Sequence, residues 1–215
     1  MISEEAFSDF EKQLKNSLLK LPGAEAQYLM APIKRKPLQD LLTQNPNPIK
    51  SAVLLLVTPV ENELAITLTR RASGSGPHSG QISLPGGRFE EEDISLISTA
   101  LREANEEINL AIEKVNVIGS LTELFIPVSN FLVHPVVATA FPHPELKPNV
   151  KEVEQIFYLT LSTLQNEELI KRKKFISTSR GEIDAPYYDI KGYEIWGATA
   201  MILSEFKILI SDKNY

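Results

Sequence analysis

The chain has 215 residues, 43% of them hydrophobic and 23% charged, a balance that excludes wholesale disorder and suits one large domain or one domain with an extension. Its 22 basic and 28 acidic side chains leave a net charge of −6, which repels a phosphate backbone and argues against nucleic acid or an anionic membrane as partner. Cysteine is absent, so disulfides, thiolate metal sites and cysteine nucleophiles are excluded.

Residues 3–20 predict an amphipathic helix, with Phe7, Phe10, Leu14, Leu18 and Leu19 at helical spacing, ended by Pro22-Gly23. The following stretch, to residue 50, is rich in proline and predicts irregular chain with a short helix at Leu38–Thr43. Residues 1–50 are expected to form an extension packed on a main domain of residues 51–215, with Tyr28, Leu29 and Met30 as apolar anchors. The N-terminal segment is charged throughout and has no signal-peptide character, and no apolar run is long enough to span a bilayer, so the expected location is cytoplasmic.

Ser51–Val57 is a continuous apolar run fit for a buried strand, and Glu63–Thr69 alternates like a half-buried one, with Glu61-Asn62 as the turn between them. Five of the ten glycines then fall between Gly74 and Gly87, and a long helix follows over about Ile94–Ile108. Strands are predicted at Val115–Leu121, Val133–Ala140, Gln155–Leu159 and Glu182–Ile190, and helices at Leu161–Lys171 and Ala198–Ile210. Strands without regular βαβ alternation indicate an α+β fold, a mixed sheet between helices.

On the helix that follows the glycines, Ile97, Ala100, Leu101, Ala104 and Ile108 form one stripe, the expected core face. Glu103, Glu106 and Glu107 share another face, with Arg102 beside them. Three like charges there repel each other unless a hard divalent cation turns that repulsion into coordination. A solvated acidic face is the alternative that spacing alone leaves open. Gly86-Gly87, just upstream, allows a tight turn and close backbone approach.

The run Arg102-Glu103-Ala104-Asn105-Glu106-Glu107-Ile108-Asn109-Leu110 after Gly86-Gly87 resembles the Nudix box, the signature of the Nudix hydrolases. Two positions depart from it. Asn109 stands in place of a glycine, and asparagine is the next-best residue for a left-handed cap. Asp93, the counterpart of the signature's upstream glutamate, is followed by one residue more than usual before Arg102, and its expected part is to cap the helix. The resemblance implies a mixed sheet sandwiched between helices (α/β/α) and Mg²⁺- or Mn²⁺-dependent hydrolysis of a pyrophosphate joined to another moiety. It implies Glu103, Glu106 and Glu107 as metal ligands, with the Gly87 carbonyl as a further one. Glu106, Glu107 and Glu152 become catalytic candidates, Glu152 as an outside general base with Glu154 and Glu123 as alternatives. Gly86 and Gly87 then shape the turn, and Arg102 orients a glutamate.

Upstream, Leu68-Thr69-Arg70-Arg71-Ala72, Gly80 and Leu84-Pro85-Gly86-Gly87 resemble the extra signature of the coenzyme A pyrophosphatase branch, as does Trp196-Gly197-Ala198-Thr199-Ala200. Gly76 stands where that signature has arginine. The branch implies coenzyme A or its acyl derivatives as substrate, cut to 3′,5′-ADP and 4′-phosphopantetheine. ADP-ribose, a dinucleotide or a nucleoside triphosphate is the alternative, and a non-catalytic ligand-sensing domain ranks below both. Arg70, Arg71 and His78 are the candidate substrate contacts. Lys171-Arg172-Lys173-Lys174 is expected to be a solvated run and Trp196 a packing residue; His134 and His143 show no metal spacing. The expected partner is a small-molecule diphosphate, with neither nucleic acid nor membrane, and a homodimer is left open.

Overall fold

A computed structural model describes residues 2–32, 35–73, 80–177 and 181–211. Three helices come first: α1 (Glu4–Ser17), α2 (Ala24–Tyr28) and α3 (Leu38–Gln44). Strands β1 (Ile49–Val60), β2 (Glu63–Arg71), β3 (Ile82–Ser83) and β4 (Gly86–Arg88) lead into α4 (Leu96–Ile108). Then come β5 (Asn116–Ser120), β6 (Leu124–Ile126), β7 (Phe131–Thr139), β8 (Val153–Thr160), α5 (Leu161–Gln165), β9 (Ile170–Ser177), β10 (Gly181–Ile190), β11 (Tyr193–Trp196) and α6 (Gly197–Ile210).

Strands β1 to β8 make one mixed sheet. Its centre is β1, antiparallel to β2 and β4 but parallel to β7. Both faces of β1 are covered, which is why its sequence is a continuous apolar run rather than an alternating one. Ala52, Leu54 and Leu56 pack with Ala100, Ala104 and Ile108 of α4 on one face. Leu55 and Val57 join Ile66, Leu68 and the α6 residues Met201, Leu203 and Phe206 on the other. This is the expected α/β/α sandwich. Each fully buried Leu or Phe contributes about 1.5–3 kcal/mol, so the row along β1 fixes the register that positions its neighbour β4.

Helix α1 starts at Ser3, whose side chain accepts from Ala6 N–H, and buries Phe7, Phe10 and Leu14. Phe10 and Leu14 share the core of the α6 face with Met30, whereas Leu29 stays exposed. Glu205 on α6 is fully buried and accepts from Gln27 Nε2 at 2.8 Å, Thr122 Oγ1 at 2.6 Å and Gly23 N–H at 3.2 Å. Those donors tie α2 and the β5–β6 connection to α6.

The expected helix Leu161–Lys171 is a correction. It ends at Gln165, and Ile170–Ser177 is instead a strand of a separate sheet, β9-β10-β11. The basic run is a strand whose cations meet acids on the other strands of that sheet: Lys171 with Asp189, Arg172 with Asp184 and Lys174 with Glu182 of β10, and Lys173 with Glu194 of β11. Opposite charges across the strands of this sheet stabilise the strand. Trp196 lies stacked on Phe175, with centroids 4.3 Å apart and planes 12° from parallel. Among the described residues no helix is long and apolar enough to cross a membrane.

Candidate active site

The site is built on α4. Its start is a capping box: Ser95 Oγ accepts from Ser98 N–H at 3.1 Å, and Ser98 Oγ accepts from Ser95 N–H at 2.8 Å. The cap is therefore Ser95, not Asp93. The helix ends where Asn109 adopts the left-handed conformation, φ 54° and ψ 39°, its N–H donating to Asn105 O at 2.9 Å. Asparagine does fill the glycine's place. Ala100, Ala104 and Ile108 face the sheet, but Ile97, expected on the same stripe, is 38% exposed.

The two glycines of β4 are needed for different reasons. Gly86 lies opposite Val53 of β1, with φ 154°, and a Cβ there would fall 2.3 Å from Ala52 O and 2.6 Å from Val53 Cα. Gly87 has ordinary backbone angles, yet a Cβ would lie 2.4 Å from Glu103 Oε1. Gly86 lets the strand approach β1; Gly87 leaves the room that the Glu103 carboxylate fills.

Arg102 is the hub of the site. It donates from Nε to Asp93 Oδ1 and from Nη2 to Asp93 Oδ2, both at 3.0 Å. It also donates from Nη1 to Glu103 Oε1 at 3.1 Å and Glu106 Oε2 at 3.3 Å, and from Nη2 to Arg88 O at 3.0 Å. Asp93 is buried and accepts in addition from Thr99 Oγ1 and Glu90 N–H. Hydrogen bonding from Arg102 holds the Asp93 carboxyl down at about 2. The extra residue in the loop has not cost the arginine its acidic anchor.

Glu107 is 4% exposed, and its Oε2 is buried without a hydrogen-bond partner. Burial pushes its carboxyl up to about 7, opposed by Arg71 and by a hydrogen bond from the Gly86 backbone, and reinforced by the charges of Glu103 and Glu152. Burial also raises Glu103, and Glu106 and Glu152 add to the rise. Two desolvated carboxylates within each other's field, one with an orphaned oxygen, fit a divalent cation. Among the described residues no three acidic or histidine side chains converge closely enough to cage an ion by themselves. An ion here would complete its shell with water and phosphate oxygens, as Mg²⁺ does.

The other candidates divide. Arg71 Nη1 lies 3.9 Å from Glu107 Oε1, at the site. Arg70 is turned to Glu154, 3.5 Å away, which also accepts from Ser73 Oγ. Glu106 is half-exposed and accepts from Arg102 Nη1 at 3.3 Å. Glu152 is the carboxylate from outside the helix that Glu103 and Glu107 both feel. Glu123 instead meets His134 Nδ1 at 3.4 Å, while His134 Nε2 meets Ser120 Oγ at 2.9 Å. His143 bridges Thr58 and Tyr158. His78 and Gly76 lie outside the described residues. Sequence reasoning passed over Asn149, whose backbone N–H donates to Glu107 O at 2.8 Å and whose side chain donates to Glu152 Oε1 at 3.3 Å. Only its place three residues before Glu152 hinted at this.

Comparison with known proteins agrees with this geometry. The NUDIX domain model matches residues 48–178. The uncharacterized Nudix hydrolase NudL of Photorhabdus laumondii is 35% identical over 158 residues, 73% of this chain and 82% of that one. The mitochondrial coenzyme A diphosphatase NUDT8 of Homo sapiens is 33% identical over 164 residues, 75% of this chain and 69% of that one. In structure, the Nudix hydrolase RenU of M. smegmatis superposes with a TM-score of 0.54 at 17% identity, covering 78% of this chain and 89% of its own, a likeness of fold. The chain belongs to the Nudix family. It is a metal-dependent pyrophosphohydrolase of that family.

Proposed function

We propose that the chain hydrolyses a nucleoside diphosphate joined to a second moiety, of the ADP-ribose or dinucleotide type, and that coenzyme A is one member of the set rather than its defining substrate. The observation that carries the reading is the orphaned, buried carboxylate oxygen of Glu107 beside Glu103, with Arg71 at the rim. Glu103 and Glu107 would hold Mg²⁺ or Mn²⁺, with Glu106 and the Gly87 carbonyl as further donors. The bound ion supplies charge neutralisation for the phosphoryl oxygens and acidifies water.

This chain's own residues do the rest. Arg102, anchored on Asp93, keeps Glu103 turned toward Gly87. Arg71 offers its guanidinium to a phosphate oxygen, exchanging a long contact with Glu107 for a charge-assisted bond to substrate. Arg70 joins it only by leaving Glu154. Glu152 accepts the proton of the attacking water.

A second reading, coenzyme A as the preferred substrate, is favoured by the human relative's name and by the run Leu68-Thr69-Arg70-Arg71-Ala72. Against it stands Gly76 in place of the branch's arginine, which removes a natural phosphate partner. The test is a hydrolysis panel with Mg²⁺ or Mn²⁺: coenzyme A, acetyl-coenzyme A, ADP-ribose, a dinucleoside polyphosphate and a deoxynucleoside triphosphate. The proposal expects ADP-ribose or the dinucleotide to turn over at least as well as coenzyme A. A kcat/KM for coenzyme A well above all the others would overturn it in favour of the second reading.

A further inference from the structure

The turn between β7 and β8 is fastened to the metal-bearing helix at its C-terminal end. A helix leaves its last carbonyls without intrahelical donors. Here Lys147 N–H takes the Ile108 carbonyl at 3.0 Å and Asn149 N–H takes that of Glu107 at 2.8 Å. The same Asn149 then closes the turn to β8, its carbonyl accepting from Glu152 N–H at 2.9 Å and Val153 N–H at 2.8 Å. On the far side Ala72 N–H, one residue beyond β2, donates to Glu152 O at 2.8 Å. The backbone of Glu152 is thus pinned between the end of β2 and the end of α4, but these bonds leave its side chain free to rotate.

One side-chain contact removes that freedom. Asn149 Nδ2 donates to Glu152 Oε1 at 3.3 Å, while Asn149 Oδ1 accepts from Lys151 N–H at 3.3 Å. A single residue therefore ties the backbone of a buried site glutamate, Glu107, through its own backbone N–H, to the carboxylate of Glu152, through its side-chain amide. We infer that Asn149 is a positioning residue for the hydrolysis: its amide N–H holds the Glu152 carboxylate toward Glu103 and Glu107. The inference rests on the reading of Glu152 as the base, and it assigns Asn149 no contact with substrate.

The two halves of the amide separate this role from a structural one. Asn149→Asp keeps the shape and an oxygen that accepts from Lys151 N–H, so the turn survives, but it replaces the donor facing Glu152 with a like charge. Asn149→Gln keeps the donor one methylene further out. In the full-length enzyme with Mn²⁺, Asn149→Asp is expected to lower kcat about three- to tenfold with KM little changed, and Asn149→Gln to recover part of that loss. In a cycle with Glu152→Gln, the double variant should be no slower than Glu152→Gln alone. An independent readout is the Asn149 side-chain amide resonance of the metal-free protein, which should move when Glu152 becomes Gln. Wild-type kcat in Asn149→Asp, beside an impaired Glu152→Gln, overturns the positioning role alone. Losses that multiply in the double variant, or an amide resonance indifferent to Glu152→Gln, overturn it as well. Unchanged turnover of Glu152→Gln overturns the base reading itself, and the inference with it.

Discussion

Arg102 grips Asp93 through two parallel bonds, Nε to Oδ1 and Nη2 to Oδ2, each 3.0 Å long. This bidentate pair lies nine residues apart in sequence, and the Asp93 side chain is 4% exposed. Replacing the carboxylate with an amide leaves a partly buried guanidinium beside Glu103 with at least one of the two donors that faced Asp93 unmatched. Asp93→Asn should therefore destabilise the chain by about 2–4 kcal/mol and, on the proposed function, also lower kcat, because Arg102 donates to Glu103. Urea unfolding and steady-state kinetics check both effects. The linkage has a definite sign. The folded-state pKa of Asp93, about 2, lies below its ordinary value of 3.8, so its contribution is present above pH 3.8 and is lost as pH falls toward 2. The destabilisation by Asp93→Asn should accordingly shrink between pH 5 and pH 2.

The neighbouring glycines should fail in different ways. Gly86→Ala pushes a Cβ into the backbone of β1, which cannot give, and strains a positive φ. It is expected to cost at least about 3 kcal/mol. Gly87→Ala meets only the end of the Glu103 side chain, which can swing away. That variant should melt near the wild type yet bind Mn²⁺ at least about tenfold more weakly. Differential scanning calorimetry beside a metal titration separates the two.

Glu107 sets a pH dependence on the metal-free protein. Its folded-state pKa of about 7 exceeds the ordinary 4.5, so the folded chain retains a proton that the unfolded chain has lost. The corresponding stability is complete below pH 4.5 and is lost as pH rises through 7. Glu107→Gln removes the dependence. In EDTA at pH 8 it should be more stable than wild type by roughly 2–3 kcal/mol, while its turnover falls by about two orders of magnitude or more. Thermal melts at pH 5 and pH 8 give the first result and hydrolysis assays the second.

Legibility followed the range of the interactions. Helix α4, its left-handed end at Asn109 and the strands β1 and β2 were readable because hydrophobic period and cap chemistry are local. Strand β9 was not, because the partners of Lys171 to Lys174 are acids on β10 and β11, between residues 182 and 194. The acidic stripe of Glu103, Glu106 and Glu107 was visible as a pattern. That Glu106 turns to Arg102 while Glu107 is buried depends on which flank of α4 meets β4, and no spacing rule contains that. The signature places Asp93 just ahead of the helix, but Ser95, two residues later, makes the cap, and Asp93 anchors the Arg102 guanidinium, a partner nine residues on. The bond from Asn149 N–H to the Glu107 carbonyl joins a turn to α4 from far along the chain and leaves no local signature.

The most direct test is a titration of Mn²⁺ into the metal-free full-length chain at pH 8, following the free-ion electron paramagnetic resonance signal, for wild type, Glu103→Gln and Glu107→Gln. If the two desolvated carboxylates hold the ion, each substitution should weaken binding at least about tenfold. Mn²⁺ should also raise the melting temperature of wild type far more than that of Glu107→Gln. Wild-type affinity in both variants would contradict the account, because the buried glutamates would then not be the metal's ligands.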